Sequence, residues 1–160
     1  MFYIKIAIFP GKFDPINNAD LDVIKKATKV FDKLIILVFD NKSKKCFFDL
    51  ENRLRFIRSC CVDFNNVEID YWPKLLSEYI ELSRATVLIK KIENDFNFSK
   101  ELSCSIINET FNNTIQTIFM LPNAKNAYIN DDLVQGLCSL KKNLSSVVPK
   151  VIEQEIKKEV

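Results

Sequence analysis

The residues from Phe9 to Asp22, FPGKFDPINNADLD, have the order of a strand, a tight turn and the start of a helix. A helix N-terminus that follows a strand offers free backbone N–H donors and the positive end of the helix dipole, so this arrangement often binds a phosphate group. Asp20 falls in the first turn of the predicted helix, where its carboxylate interacts favourably with the helix dipole but would repel a bound anion. The stretch therefore predicts a phosphate-type loop whose chemistry is altered at Asp20.

The choice of catalytic side chains is limited, because the chain contains no histidine. Ser-His-Asp and Cys-His mechanisms are thereby excluded, together with the commonest metal ligand. The five cysteines are odd in number and include no CxxC pair, which favours reduced, buried thiols over a structural zinc site. An ordinary first-turn acid is favoured for Asp20 over a metal site formed with Asp22, since no third ligand is visible.

Size and charge limit the classes of protein to consider. A chain of 160 residues, 48% of them hydrophobic, predicts a single domain over residues 1–160 with a substantial core. The formal net charge of +2 gives no indication of a nucleic-acid or membrane-surface partner. The longest apolar runs are strand-sized, and the N-terminus lacks the features of a signal peptide. We therefore expect a cytoplasmic protein without a membrane span.

Apolar runs alternate with amphipathic segments, and this alternation predicts the elements that must position the loop. Each of five predicted strands is followed by a helix, with Asp49 as N-cap of the second helix and Pro73 at the start of the third. Two helices end the chain. The pattern predicts an α/β, Rossmann-like fold with a five-stranded parallel sheet and helices on both faces. Ligands would bind at the carboxyl ends of the strands, beside loops 10–18, 90–97 and 122–130.

The order of segments, with the phrases FPGKFDPINN, KSKK, ATVLIK and FMLP, resembles the bacterial phosphopantetheine adenylyltransferases, within the HIGH-type nucleotidyltransferases. The resemblance covers essentially the whole chain. It implies transfer of AMP from ATP to 4′-phosphopantetheine, giving dephospho-coenzyme A and pyrophosphate, with Mg²⁺ and without a covalent intermediate. It also implies a hexamer of two trimers. Such a reaction depends on groups that hold phosphates and stabilise charge on the transferring phosphorus.

Part of the implied site is kept in this sequence. Lys44 would lie near the substrate phosphate, Leu75 and Leu76 along the pantetheine arm, and Asn108 beside it. Carried over residue by residue, the resemblance implies substrate binding by Lys12, Lys44, Leu76, Lys90 and Asn108. It implies a vestigial nucleotide site formed by Lys12, Phe13, Asp20, Lys91, Ile92, Glu93, Glu101, Asn126, Ala127, Tyr128, Ile129, Asn130, Asp131 and Asp132.

The positions nearest the chemistry differ from the family pattern. Lys12 replaces a serine or threonine, and Ala19 and Asp20 replace the Gly-His of an Asn-Gly-His triplet whose histidine is thought to stabilise the transition state. Residues 90–93, KKIE, replace Arg-Gly-Leu-Arg, and residues 129–132, INDD, replace Ile-Ser-Ser-Ser. Loss of one preorganised donor typically costs about 2.7–4 kcal/mol of transition-state stabilisation. Asp20 is thus interpreted as a vestigial, non-functional replacement of the catalytic histidine.

The replacements also alter the charge around bound phosphates. They make the site about three units more negative, and like charges in contact repel at the effective dielectric of a protein surface. Lys90 and Lys91 are interpreted either as solvated loop residues or as residual phosphate ligands, and Asp131 and Asp132 as N-cap or first-turn acids. We expect a pocket that is smaller and more negative than a working nucleotide site.

Three hypotheses follow for the function. The first is a degenerate phosphopantetheine adenylyltransferase that has lost adenylyl transfer, binds ATP and phosphopantetheine weakly at most, and has a structural or interaction role. The alternative is a weak but genuine adenylyltransferase in which Lys12, Lys44, Lys90 and Mg²⁺ hold the phosphates. The third is a module that binds pantetheine or nucleotide without turnover. Mg²⁺ is expected only with residual activity, and an oligomer is expected, with copies of itself or with other subunits.

Overall fold

The computed structural model describes residues 4–40, 45–93 and 95–159, without the side chains of residues 95–97. Its strands are β1 (Ile6–Gly11), β2 (Lys33–Val38), β3 (Val67–Tyr71), β4 (Val87–Lys91) and β5 (Gln116–Met120). Its α-helices are α1 (Asn18–Ala27), α2 (Leu50–Cys61), α3 (Leu76–Ser83), α4 (Asp95–Phe111), α5 (Asp131–Ser139) and α6 (Lys150–Glu159), and a short 3₁₀ helix spans Ala124–Asn126.

The five strands form one parallel sheet in the order β3-β2-β1-β4-β5. Strands β2 and β3 follow β1 on one side of the sheet, and β4 and β5 lie on the other side of β1. The predicted five-stranded parallel sheet is therefore confirmed. The reversal of strand order lies between β1 and β4, so their carboxyl ends border the crevice in which such sheets bind ligands.

Successive side chains of the central strands pack on opposite faces of the sheet. Ala7 and Phe9 belong to the larger core, which α1, α2, α5 and α6 cover, whereas Ile8 belongs to the smaller core beside α3. This alternation follows from the two-residue period of a β-strand. Helices therefore cover both faces, as the apolar sequence of the strands predicts.

The predicted start of α2 agrees with the structure, whereas that of α3 differs. Asp49 caps α2, since its carboxylate accepts a hydrogen bond from the Asn52 N–H at 2.8 Å. Helix α3 begins at Leu76 rather than at Pro73, so the predicted start is wrong by three residues. The reason is a local turn in which the Trp72 indole N–H donates to the carbonyl of Leu75 at 3.0 Å, holding residues 72–75 outside the helix.

Candidate functional site

Two adjoining cavities open at the carboxyl ends of the strands. The first, termed the charged cavity, has a volume of about 570 Å³. Four lysines and four carboxylates line it, with apolar and backbone atoms of the loop after β1. Its lining is Phe9, Pro10, Gly11, Lys12, Phe13, Asp20, Phe39, Lys90, Lys91, Glu93, Lys100, Glu101, Cys104 and Asp131.

The second cavity, termed the apolar cavity, has a volume of about 430 Å³. It shares Phe39 and Lys90 with the charged cavity, and its remaining lining is Leu37, Asp40, Trp72, Pro73, Lys74, Leu75 and Leu76. Both volumes fall within the range of small-molecule sites. Together they form a bipartite cleft with one charged and one apolar half, which is suited to a ligand that carries phosphates at one end and an uncharged arm at the other.

The loop after β1 is held in place by close packing and by a buried carboxylate. A Cβ at Gly11 would lie 3.0 Å from the Phe13 ring, so glycine allows the loop to fold back on itself there. Phe13 adopts a φ of 49°, which is uncommon for a residue with a side chain. Asp14 is 1% exposed and accepts the backbone N–H groups of Phe47 and Phe48 at 2.6 and 2.8 Å. Asp14 is therefore a structural anchor between this loop and the start of α2.

Arg53 ties the loops after β1 and β2 together. Its side chain is fully buried, and its Nη1 donates to the carbonyls of Lys12 and Phe39 at 2.9 and 3.3 Å. Its Nη2 lies 3.0 Å from Asp40 Oδ1 as an ion pair without hydrogen-bond alignment. The arginine thus joins the backbone at Lys12, which lines the charged cavity, to the backbone at Phe39, which lines both cavities.

Asp20 belongs to the capping box of α1. Its Oδ2 accepts the Asn17 N–H at 3.0 Å, and the Asn17 side chain accepts the Asp20 N–H at 3.1 Å. Its other oxygen, Oδ1, lies 2.6 Å from Lys91 Nζ. The interpretation of Asp20 as a helix N-terminal acid is therefore confirmed, and the structure adds a buried ion pair that the sequence did not indicate.

Lys91 is the central cation of the charged cavity. Its side chain is 8% exposed and contacts Glu93 Oε1 at 3.0 Å as well as Asp20. Burial by itself would lower the pKa of Lys91, but Asp20, Glu93 and Asp131 outweigh burial and raise the pKa above its ordinary value. The interpretation of Lys91 as a solvated loop residue is wrong, because it ends β4 with its ammonium enclosed by carboxylates.

Asp131 is the first residue of α5, and Asn130 is the N-cap, accepting the Leu133 N–H at 2.8 Å. Among the described residues, the one hydrogen bond to its carboxylate comes from the Asn17 amide at 3.4 Å, and no ammonium pairs with it. Burial, together with the charge of Asp20, raises its pKa to about 7 despite the opposing effect of Lys91. The structure thus confirms Asp131 as a first-turn acid.

The other three lysines of the charged cavity differ in their pairing. Lys90 forms a half-buried ion pair with Glu101 at 3.0 Å, so it is not a solvated loop residue either. The ammonium groups of Lys12 and Lys100 make no ion pair or hydrogen bond within the part of the chain that the structure describes. By formal charge the lining is balanced, since Lys100 of α4 supplies an ammonium that the sequence analysis did not place there.

Several residues implied by the resemblance lie elsewhere. Asn108 is on α4 and lines neither cavity, and Lys44 lies outside the described residues. Ala19 is fully buried in the core, so its methyl group does not face the cavity. None of the following contributes to the lining of the two cavities either: Ile92, Asn126, Ala127, Tyr128, Ile129, Asn130 and Asp132.

The metal site considered for Asp20 and Asp22 is not formed. Asp22 Oδ2 accepts the Asn123 N–H at 3.0 Å and the Asn126 amide at 2.7 Å, and so fixes the loop after β5. Within residues 4–40, 45–93 and 95–159, no group of three or more His, Cys, Asp or Glu side chains is arranged to hold a metal ion. No helix in these ranges is both long and apolar enough to cross a membrane.

Three residues that build the site were missed by the sequence analysis: Asn17, Arg53 and Lys100. Arg53 left a signal, because it occupies the same helix face as the buried Phe56 and Ile57, where an arginine is unusual. Asn17 could have been identified as an N-cap from the acid three residues later. Lys100 left no signal, because one lysine in an exposed helix resembles any other.

Comparison with known proteins identifies related sequences over nearly the whole chain. Residues 8–130 match the model of the cytidylyltransferase-like family. The chain is 31% identical to the phosphopantetheine adenylyltransferase of Caldanaerobacter subterraneus subsp. tengcongensis, over 96% of each chain. It is 32% identical to that of Nautilia profundicola, over 94% of this chain and 97% of the relative.

Solved structures agree on the fold. A Vibrio parahaemolyticus protein assigned as a nicotinate-nucleotide adenylyltransferase superposes with a TM-score of 0.69 at 18% identity, over 98% of this chain and 94% of that chain. A lipopolysaccharide core biosynthesis protein from Thermoplasma volcanium superposes with a TM-score of 0.58 at 15% identity, over 75% and 98%. On the sequence matches, the chain belongs to the phosphopantetheine adenylyltransferases, within the cytidylyltransferase-like family.

Proposed function

We propose that this chain keeps the substrate cleft of a phosphopantetheine adenylyltransferase, binds its ligands weakly, and has lost adenylyl transfer, acting as a structural or interaction subunit. The observation that carries the proposal is the state of Lys91. This ammonium pairs with Glu93 and with Asp20, the residue that replaces the family's histidine, and Asp131 adds a third negative charge nearby. The cation nearest the reaction centre is thus already neutralised by the protein.

Ligand binding is supported by the shape of the cleft. The charged cavity would receive the phosphates of ATP, beside the ammonium groups of Lys12 and Lys100, which form no ion pair with any described residue. The apolar cavity would receive the pantetheine arm along Trp72 and Leu76, with Lys90 between the two halves. Binding needs only favourable contacts in the ground state, so it can persist when the groups for catalysis have changed.

Loss of transfer is supported by the paired state of Lys91. A group that stabilises developing negative charge must be preorganised and free to bind it, and each such donor is typically worth about 2.7–4 kcal/mol. Lys91 is preorganised, but carboxylates already accept its hydrogen bonds. The chain contains no histidine that could serve as the donor instead.

Slow transfer is the second candidate, and the unpaired lysines favour it. Lys12, Lys90 and Lys100 line the charged cavity, and Lys12 and Lys100 could contact phosphate oxygens without first breaking an ion pair. Mg²⁺ would enter with ATP, as it commonly does with nucleotide phosphates.

An activity assay separates the two candidates. The purified protein is incubated with ATP, Mg²⁺ and 4′-phosphopantetheine, and dephospho-coenzyme A and pyrophosphate are measured, with the Nautilia profundicola relative assayed in parallel. We expect no detectable product. Calorimetry with each substrate tests weak binding independently. Robust turnover would refute loss of transfer and establish the second candidate, whereas absence of any binding would show that the cleft itself is not functional.

A reversal series tests the structural reason. Asp20→His alone should not restore activity, because it removes a carboxylate from Lys91 and leaves Glu93 and Asp131 in place. Adding Lys91→Gly and Glu93→Arg removes the cluster and supplies a free cation. We expect no turnover in the single variant and measurable turnover in the triple variant. Serines at residues 130–132 and Lys12→Thr should increase the turnover of the triple variant further. Activity in Asp20→His alone would show that the cluster is not the obstacle.

Self-association is part of the proposal, with another copy of this chain as the partner. Helix α4 exposes several large apolar side chains, among them Leu102, Ile106 and Phe111, the last 71% exposed. Ile118 of the edge strand β5 is also exposed. Such apolar surface favours an interface. Sedimentation of the wild type should show an oligomer, and Ile106→Asp should shift it to monomer; a wild-type monomer would refute this part of the proposal.

A further inference from the structure

The three carboxylates around Lys91 are not equivalent. Asp20 Oδ1 and Glu93 Oε1 both contact the ammonium, at 2.6 and 3.0 Å. Asp131 has no ion pair among the described residues, and its one hydrogen bond, from the Asn17 amide, is long at 3.4 Å. The ammonium of Lys91 therefore forms ion pairs with two of the three carboxylates, and Asp131 is the carboxylate that it does not contact directly.

Four charged groups act on Asp131. Asp20 faces it from α1, Asp14 from the loop after β1, and Glu93 and Lys91 from the end of β4. On its own helix the neighbouring Asp132 is exposed and lines neither cavity. An anion that enters the charged cavity adds negative charge beside this group. The simplest compensation available to the protein is a proton on the carboxyl that lacks a cation.

We propose that Asp131 takes up a proton when an anionic ligand enters the charged cavity and then donates a hydrogen bond to that ligand. The inference rests on the proposed function, in that the cavity receives phosphate groups. A neutral carboxylic acid is a good hydrogen-bond donor to an anion, whereas a carboxylate only accepts. Asp131 would thus change from a group that repels the ligand to one that binds it.

The proton is available near neutral pH. Burial and the neighbouring acids place the pKa of Asp131 at about 7, whereas burial raises the thiol pKa values of Cys46, Cys61 and Cys138 to about 11. The chain has no histidine, so an α-amino group is the other kind of group that ordinarily titrates in this range. Proton uptake on binding can therefore be assigned with few competing groups.

Calorimetry with dephospho-coenzyme A tests the proposal, because the diphosphate diester of this probe keeps a fixed charge through the neutral range. Titrations in two buffers of different ionisation enthalpy give the number of protons taken up. For the wild type we expect uptake of a proton near neutral pH and an affinity about fivefold higher at about pH 6 than at about pH 8. Sulfate is a second probe that distinguishes simple anion binding from recognition of the larger ligand.

Matched variants locate the effect. Asp131→Asn supplies a neutral donor of the same shape, so its affinity should be nearly independent of pH and close to the wild-type affinity at low pH. Asp132→Asn, in the same helical turn but exposed, should keep the wild-type pH dependence. Uptake of no proton by the wild type, or pH dependence that survives Asp131→Asn, would overturn the inference alone. Absence of binding at every pH would overturn both the inference and the proposed cleft.

Discussion

The starts of α1 and α5 look alike in sequence and behave differently in the structure. Each helix has an asparagine N-cap, Asn17 or Asn130, and each has an aspartate in its first turn that lines the charged cavity. Asp20 divides its two oxygens between the capping box and Lys91. Asp131 accepts one long hydrogen bond and pairs with no described cation. Two acids with similar local roles thus have different electrostatic surroundings, because their tertiary partners differ.

The comparison also clarifies what has changed in the site. At the α1 start, the negative charge of Asp20 is compensated within the protein, so it does not simply repel a ligand as the sequence suggests. At the α5 start, Asp131 is compensated poorly, and its charge depends on pH near neutrality. Under the proposed function, the obstacle to phosphate stabilisation is therefore the sequestered state of Lys91 together with Asp131, more than the number of acids.

The largest expected effect comes from removing the shared cation. Lys91→Met leaves Asp20, Glu93 and Asp131 clustered without compensation, and breaking a buried ion pair in this way typically costs about 3–5 kcal/mol. Urea unfolding at neutral pH measures the loss in free energy of unfolding. Lys12→Met removes a lysine of the same cavity that pairs with no described residue, and it should change stability by less than about 0.5 kcal/mol. Equal losses in the two variants would contradict the central role of Lys91.

The coupling between Lys91 and Asp20 provides an internal check. Asp20→Asn added to Lys91→Met removes one of the stranded charges, so the double variant should recover part of the lost stability. Strict additivity of the two substitutions would show that the ion pair contributes nothing of its own.

The next effect concerns Asp131 and depends on pH. Its folded pKa of about 7 lies above its ordinary value of 3.8, so the folded state holds the proton more tightly than the unfolded state does. The associated stability is fully present at low pH and is lost as the pH rises to about 7. Asp131→Asn should therefore be more stable than the wild type by about 1–3 kcal/mol at pH 8, and by little at pH 4.

Thermal unfolding of Asp131→Asn across this pH range measures the difference. Asp132→Asn, exposed in the same turn, should follow the wild type within about 0.5 kcal/mol at every pH. A constant difference between Asp131→Asn and the wild type would show that the carboxyl titrates no differently in the two states.

The smallest effect compares the two caps directly. Asn17 is fully buried, caps α1 and also donates a hydrogen bond to Asp131. Asn130 is partly exposed, and the hydrogen bond of its side chain is the one that caps α5. Loss of an N-cap typically costs about 0.5–2 kcal/mol. Asn17→Ala should fall near the upper end of this range and Asn130→Ala near the lower end, as measured by urea unfolding. The reverse order would mean that burial adds nothing to the cap of α1.

Local sequence patterns predicted much of the fold. The parallel sheet and the caps or first-turn acids at Asp20, Asp49 and Asp131 follow from apolar periodicity and N-cap preferences, which act within a few residues. The start of α3 was wrong because a hydrogen bond from Trp72 to the Leu75 carbonyl competes with helix formation there. The site was only partly predicted, since residues 126–130 line neither cavity. Asn126 holds the loop after β5, Ile129 packs in the core, and Asn130 caps α5.

By itself the sequence determined the alternation of strands and helices, the absence of histidine, and which positions near the strand ends carry charge. Only the tertiary structure decided how those charges pair. Lys91 and Asp20 are 71 positions apart in the chain, and Asn17 and Asp131 are 114 apart. They meet because β1 and β4 are neighbours in the sheet, with α1 and α5 beginning at their carboxyl ends. Electrostatic interaction depends on distance and burial, so the same residues could not reveal their charge states before the fold placed them.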